Sequence, residues 1–199
     1  MAATPARKVL DPNAPNDPSV EAAFQAIPDT MIAEILDGEL HTMPRPARPH
    51  TNTASVLGGE LHGPFRRGLG GPGGWVILDE PELHFGRDVL VPDLAGWRRE
   101  RMPEQPSTAY YELAPDWACE VLSPSTARVD RVLKVPIYAR ERVNYVWLVS
   151  PAEQTLEVLQ LDGESYRLLA THGGDAVVRV EPFAAVELEL QALWAGVAR

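Results

Sequence analysis

The chain has 199 residues, 45% of them hydrophobic and 23% charged, which suits one globular domain with a core of its own. A domain of this size buries roughly 70% of the surface its unfolded chain exposes, so it needs no disulfide or zinc staple. Its 28 acidic residues against 18 Lys and Arg give a net charge of −10, which excludes a protein that coats nucleic acid through its charge alone.

Residues 1–18 are rich in Pro, Asn and Asp and are expected to form a mobile tail, with the folded domain over 19–199. No apolar run reaches the length of a membrane span or of a signal-peptide core, so a cytoplasmic setting without membrane contact is expected. Val20–Ala26 reads as a short helix that Pro28 ends. The next residues alternate about Asp37-Gly38, a strong hairpin signal between strands Met31–Leu36 and Glu39–Met43. His50–Arg67 reads as a helix weakened by Gly58, Gly59 and Pro64. The glycine cluster Gly68–Gly74 precedes a strand rather than opening a helix, so it is a turn and not a phosphate loop.

Strands are expected at Trp75–Asp79, Glu82–Phe85, Val89–Trp97 and Trp117–Leu122, followed by a helix over Ser125–Arg142. Tyr145–Ser150, Leu156–Leu161 and Ser165–Ala170 are three more strands, the last two joined at Asp162-Gly163, and Leu188–Ala195 closes the chain as a helix. This order gives an α/β or α+β protein with a mixed central sheet flanked by helices. Cys119 lies in an apolar run and reads as a small buried hydrophobe. Glu80, Glu82 and Asp88 read as a solvated strand face. His41, His62, His84 and His172 lack zinc-ligand spacing.

Two acids break the apolar pattern. Asp93 stands inside Val-Leu-Val-Pro-Asp-Leu-Ala-Gly-Trp, and Glu120 inside Trp-Ala-Cys-Glu-Val-Leu, on the face of Ala118 and Leu122. An isolated carboxylate in a covered strand is prohibitive unless paired, protonated or metal-bound. Either acid could instead end a strand in water or pair with an arginine of Arg98–Arg101; two of them point to a shared divalent-metal site. In the helix after Glu120, Asp130, Lys134 and Tyr138 recur at every fourth position as one polar stripe, and Pro136 should distort that helix.

Glu34-x-x-Asp37-Gly38-Glu39, Arg48-Pro49-His50, Pro92-Asp93-Leu94, Glu120-Val121-Leu122-Ser123-Pro124-Ser125 and Asp130-x-x-x-Lys134-x-x-x-Tyr138 together resemble the Uma (Uma-two) endonuclease family of the restriction-endonuclease-like, PD-(D/E)XK superfamily. The resemblance implies a magnesium- or manganese-dependent phosphodiesterase with DNA as transient substrate. Asp93, Glu120 and the carbonyl of Val121 would hold the metal. Lys134 would orient water and stabilise charge on the phosphate, Glu34 would complete the metal shell through water, and His50 would contact phosphate or move a proton. Residue 122 is Leu where the superfamily places its lysine, and the family likeness moves that role to Lys134. A homodimer is expected by analogy, since cutting two strands takes two sites. The alternative is a catalytically degenerate nuclease fold serving as an interaction or oligomerisation module.

Overall fold

The computed structural model describes residues 11, 14–28, 30–44 and 48–195, so most of the expected tail lies outside the described residues. At the tail's end, Asp17 accepts the Ser19 amide at 2.8 Å and caps helix α1 (Pro18–Gln25), with proline in its first turn. Asn16 donates to the Arg87 carbonyl at 2.7 Å, which ties this segment to the body of the fold.

Strands β1 (Met31–Leu36) and β2 (Glu39–Pro44) form the expected hairpin. Asp37 and Gly38 both adopt positive φ, +52° and +77°, the backbone a two-residue type I′ turn demands. Helix α2 (Arg48–Leu61) runs into a π-helical turn at His62–Arg66. After the glycine loop come β3 (Trp75–Asp79), β4 (Leu83–Phe85), β5 (Asp88–Leu90), β6 (Leu94–Arg98) and β7 (Trp117–Val121). Short α3 (Ala127–Val129), a π-helical turn (Asp130–Lys134) and α4 (Val135–Arg140) run on without a break. Pro136 has no N–H for the carbonyl four residues before it, and the widened turn sits immediately ahead of it. The chain closes with β8 (Tyr145–Ser150), β9 (Thr155–Asp162), β10 (Ser165–Gly173), β11 (Val177–Val178), β12 (Leu188–Glu189) and α5 (Leu190–Trp194).

The main sheet has six strands in the order β10-β9-β8-β7-β6-β3, antiparallel except for β7 and β8. That parallel pair needs a crossover, which the α3–α4 segment supplies. A second sheet has the order β2-β1-β5-β4. Alternation along β7 sends Trp117, Cys119 and Val121 to one face of the main sheet, against Leu57 and Leu61 of α2 and Leu193 and Trp194 of α5. Phe65, Trp75, Trp117 and Trp147 pack around Phe183 there, with ring centroids 4.7–5.5 Å apart. Ala118 and Leu122 face the other side, against Ile137 and Tyr138 of α4 and Leu36, Leu83 and Leu90 of the second sheet. Glu120 points to that second side, between two sheets and a helix.

Three expectations are corrected. Val89–Trp97 is not one strand: β5 belongs to the second sheet and β6 to the main one, and the chain changes sheets at Val91-Pro92-Asp93. Asp88 is fully buried rather than solvated, accepting from the Asp37 amide at 2.5 Å and pairing with Arg140 at 2.7 Å. Leu188 and Glu189, expected to begin the last helix, pair with β11. Cys119 is buried, as expected. Among the described residues no helix is long and apolar enough to cross a membrane.

Candidate active site

The site residues are delivered by five separate segments. Glu34 comes from β1, His50 from the first turn of α2, Asp93 from the crossing between sheets and Glu120 from the middle of β7. Asp130 and Lys134 come from the π-helical turn. All six line one cleft of about 330 Å³, together with the backbone of Val121 at the end of its strand and Ser123–Thr126 at the entry to the helix. The five side chains singled out in the sequence for catalysis, Asp93, Glu120, Lys134, Glu34 and His50, are therefore brought together.

The Lys134 ammonium is the hub. It lies 2.7 Å from Glu120 Oε2, 3.0 Å from Glu34 Oε1 and 3.8 Å from Asp130 Oδ1, and it donates to the Val91 carbonyl at 3.3 Å. Tyr138, one turn on, donates its hydroxyl to Glu120 Oε1 at 2.5 Å. Glu34 Oε1 also accepts the Val91 amide at 2.7 Å, so two charged side chains hold the peptide that leaves the second sheet. Asp93 accepts the Val121 amide at 2.7 Å on one oxygen and meets His50 Nε2 at 3.1 Å on the other. Among the described residues neither Asp93 nor Glu120 is paired with an arginine. Leu122, where the resemblance leads one to look for a lysine, is buried apolar core, and Lys134 reaches Glu120 from the helix.

Negative charge outnumbers positive here. Among the described residues four carboxyls, Glu34, Asp93, Glu120 and Asp130, share the cleft with one ammonium, that of Lys134. Burial raises the Glu120 carboxyl well above the usual range; Lys134 opposes this, and Asp130, Asp93 and Glu34 reinforce it. Burial likewise raises Asp130, to about 6, against the pull of Lys134 and a hydrogen bond from Thr126. Burial alone would lower Lys134, but Glu120, Glu34 and Asp130 outweigh it and keep the amine charged. Burial, followed by the Glu120 charge, raises Tyr138 well above an ordinary phenol.

A raised folded-state carboxyl costs no stability where both states are protonated, costs progressively more as pH rises from the unfolded value to the folded one, and costs a constant amount above that. For Asp130 that window runs from its ordinary 3.8 to about 6. In metal-free buffer, the stability of the wild-type protein relative to Asp130→Asn should therefore fall across this window by on the order of 2–3 kcal/mol. Urea denaturation of both proteins at the two ends of the window checks it, and parallel pH profiles would refute it.

The chemistry of the donors fits a hard divalent cation. They are oxygens, they carry surplus charge, and Glu34 Oε2 is buried with no hydrogen-bond partner. Among the described residues no three His, Cys, Asp or Glu side chains close around a common point. Magnesium does not require that, since it keeps several waters and is held through one or two carboxylates.

The chain is an α+β protein with a mixed sheet flanked by helices, in which buried acids and a lysine meet at a break between strands. A solved structure agrees: a protein of Anabaena variabilis ATCC 29413 described as a "putative nuclease belonging to DUF820" superposes with a TM-score of 0.68 at 21% identity, covering 88% of this chain and 96% of its own. No curated protein matches the sequence. Residues 21–192 match the family model Uma2, described as "Putative restriction endonuclease", and the chain belongs to that family.

Tyr138 and Asp130 stood in the sequence as members of a polar stripe without a function of their own. The signal was the fourfold spacing. What it did not reveal is that the stripe faces inward onto Glu120.

Proposed function

We propose that this chain is a divalent-metal-dependent endonuclease that hydrolyses phosphodiester bonds of DNA. The observation that carries the reading is the convergence of Glu34, Asp93, Glu120 and Lys134 on one cleft in which carboxyls outnumber cations. Asp93, Glu120 and the carbonyl of Val121 would hold Mg²⁺ or Mn²⁺. Such an ion, when bound, offsets the surplus charge, polarises the phosphate and lowers the pKa of a bound water.

The chain's own groups have separable tasks. Val121's amide and His50 fix the two oxygens of Asp93, and Tyr138 fixes one oxygen of Glu120. Lys134 keeps a permanent positive charge against Glu120 and Glu34, where it orients the attacking water and stabilises charge developing on phosphate oxygens. His50, beside Asp93 at the mouth shared by two cavities, is placed to contact phosphate or to pass a proton. Glu34 keeps one buried oxygen open for a hydrogen bond from metal-bound water. The expected setting is the cytoplasm, where a homodimer would present one cleft to each strand of a DNA duplex.

Asp93→Asn keeps the shape and the bond to the Val121 amide while removing a charge. Magnesium-dependent cleavage of plasmid DNA should fall by about 100-fold or more, with unfolding behaviour preserved. Cleavage at the wild-type rate in that variant removes the assignment.

One observation favours a second reading, a non-catalytic interaction module: both oxygens of Glu120 already have partners, Lys134 and Tyr138. Calorimetric titration separates the two readings. Binding of Mg²⁺ or Mn²⁺ supports the enzyme, and no binding at millimolar concentration supports the module.

A further inference from the structure

A second cavity, of about 430 Å³, adjoins the acid cleft and shares His50 and Asp93 with it. One wall is a single face of α2 and the turn that follows. His50, Thr51, Ala54, Ser55, Gly58, Gly59 and His62 recur with helical spacing, so that small residues lie between two imidazoles. Asp79 and Glu80, at the end of β3, line the opposite side. Gly58 packs closely, since a Cβ there would lie 3.0 Å from an Asp79 carboxyl oxygen, which would have to move aside. Gly59 does not: a Cβ there meets nothing within 4 Å, so its bareness widens the trough without serving the fold.

Two imidazole nitrogens of residues that line the trough have no hydrogen-bond partner. His50 is 9% exposed, with Nε2 on Asp93 and its Nδ1 buried and unpartnered. His62 Nε2 is likewise buried without a partner. A buried polar atom without a partner is costly, and both rings border the trough.

We propose that this trough receives a nucleoside unit of a single strand whose phosphate lies in the acid cleft. The inference rests on the nuclease reading and adds where the substrate runs. The carboxylates of Asp79, Glu80 and Asp93 disfavour a second phosphate, which leaves the sugar and base as the fitting parts. Carboxylates accept hydrogen bonds from exocyclic amino groups such as that of cytosine, and imidazole can donate or accept. The volume falls in the range that encloses a small organic group. His50 joins the two cavities, so strand position and phosphate position are set by one residue.

The test is binding, which does not depend on turnover. A fluorescein-labelled single-stranded oligonucleotide with phosphorothioate linkages, which resist hydrolysis, is titrated with the full chain in millimolar Mg²⁺ and followed by anisotropy. Gly59→Leu, and separately Ser55→Leu, place a branched side chain in the trough from exposed helix positions that tolerate it. Each should weaken Kd by tenfold or more while circular dichroism stays unchanged. Wild-type affinity in both variants, or no binding by the wild-type protein, overturns the proposal. Weakened binding with no plasmid cleavage by the wild type would keep the trough and sink the nuclease reading. Cleavage with unweakened binding would do the reverse.

Discussion

Replacing Lys134 with methionine should destabilise the protein by about 3–5 kcal/mol near neutral pH in metal-free buffer, the cost of breaking a buried ion cluster from one side. Methionine matches the length of the lysine stem, so packing changes little. What goes is the ammonium that pairs with Glu34, Glu120 and Asp130, each nearly or wholly inaccessible to water. The pH dependence identifies the cause. Asp130 already titrates near 6 with the lysine present, and without it the neighbouring carboxyls shift further upward. The deficit should therefore be large at about pH 8 and shrink towards about pH 5, as the carboxyls take up protons. A cavity or packing defect would give the same loss at both. Urea denaturation of wild type and variant at the two pH values decides between them.

Glu120→Gln should cost more in function than in stability. Glutamine still accepts from Lys134 and is nearly the same shape, and a neutral group relieves the burial cost that raises this carboxyl. It removes one of the two carboxylates that would hold the ion. Altering groups that only support metal ligands typically lowers affinity 10–100-fold, so loss of a ligand should lower Mn²⁺ affinity by about 100-fold or more. Plasmid cleavage should disappear with it. Unchanged calorimetric titration curves would show that Glu120 does not touch the metal.

Much of this site is legible in the chain because its residues violate local rules. A glutamate between Cys119 and Val121 has no place in a strand covered on both sides, and Asp93 breaks an apolar run in the same way. The hairpin about Asp37-Gly38 is legible for a different reason: only a few residues accept positive φ at both turn positions. What escaped depends on partners distant in sequence. Asp88 looks like a surface acid until Arg140, 52 residues away, closes over it. The run Val89–Trp97 has the composition of one strand, and Pro92 alone marks the point where it leaves one sheet for another. Tyr138 shares the helix stripe with Lys134, but which way a stripe faces is decided by the sheet it packs on. The trough beside α2 was hidden for a related reason: Gly58 and Gly59 read as weaknesses in a helix, and only the fold shows the space they leave.

The proposed chemistry needs a doubly charged cation as counter-charge to the carboxyls of the acid cleft. A crystal structure of the protein grown or soaked with Mn²⁺, with anomalous data, measures that directly. The expected result is a single strong peak about 2.0–2.4 Å from carboxyl oxygens of both Asp93 and Glu120, with the Val121 carbonyl among its ligands. A peak elsewhere, or an acid cleft in which Lys134 alone balances the carboxyls at high Mn²⁺, would contradict it.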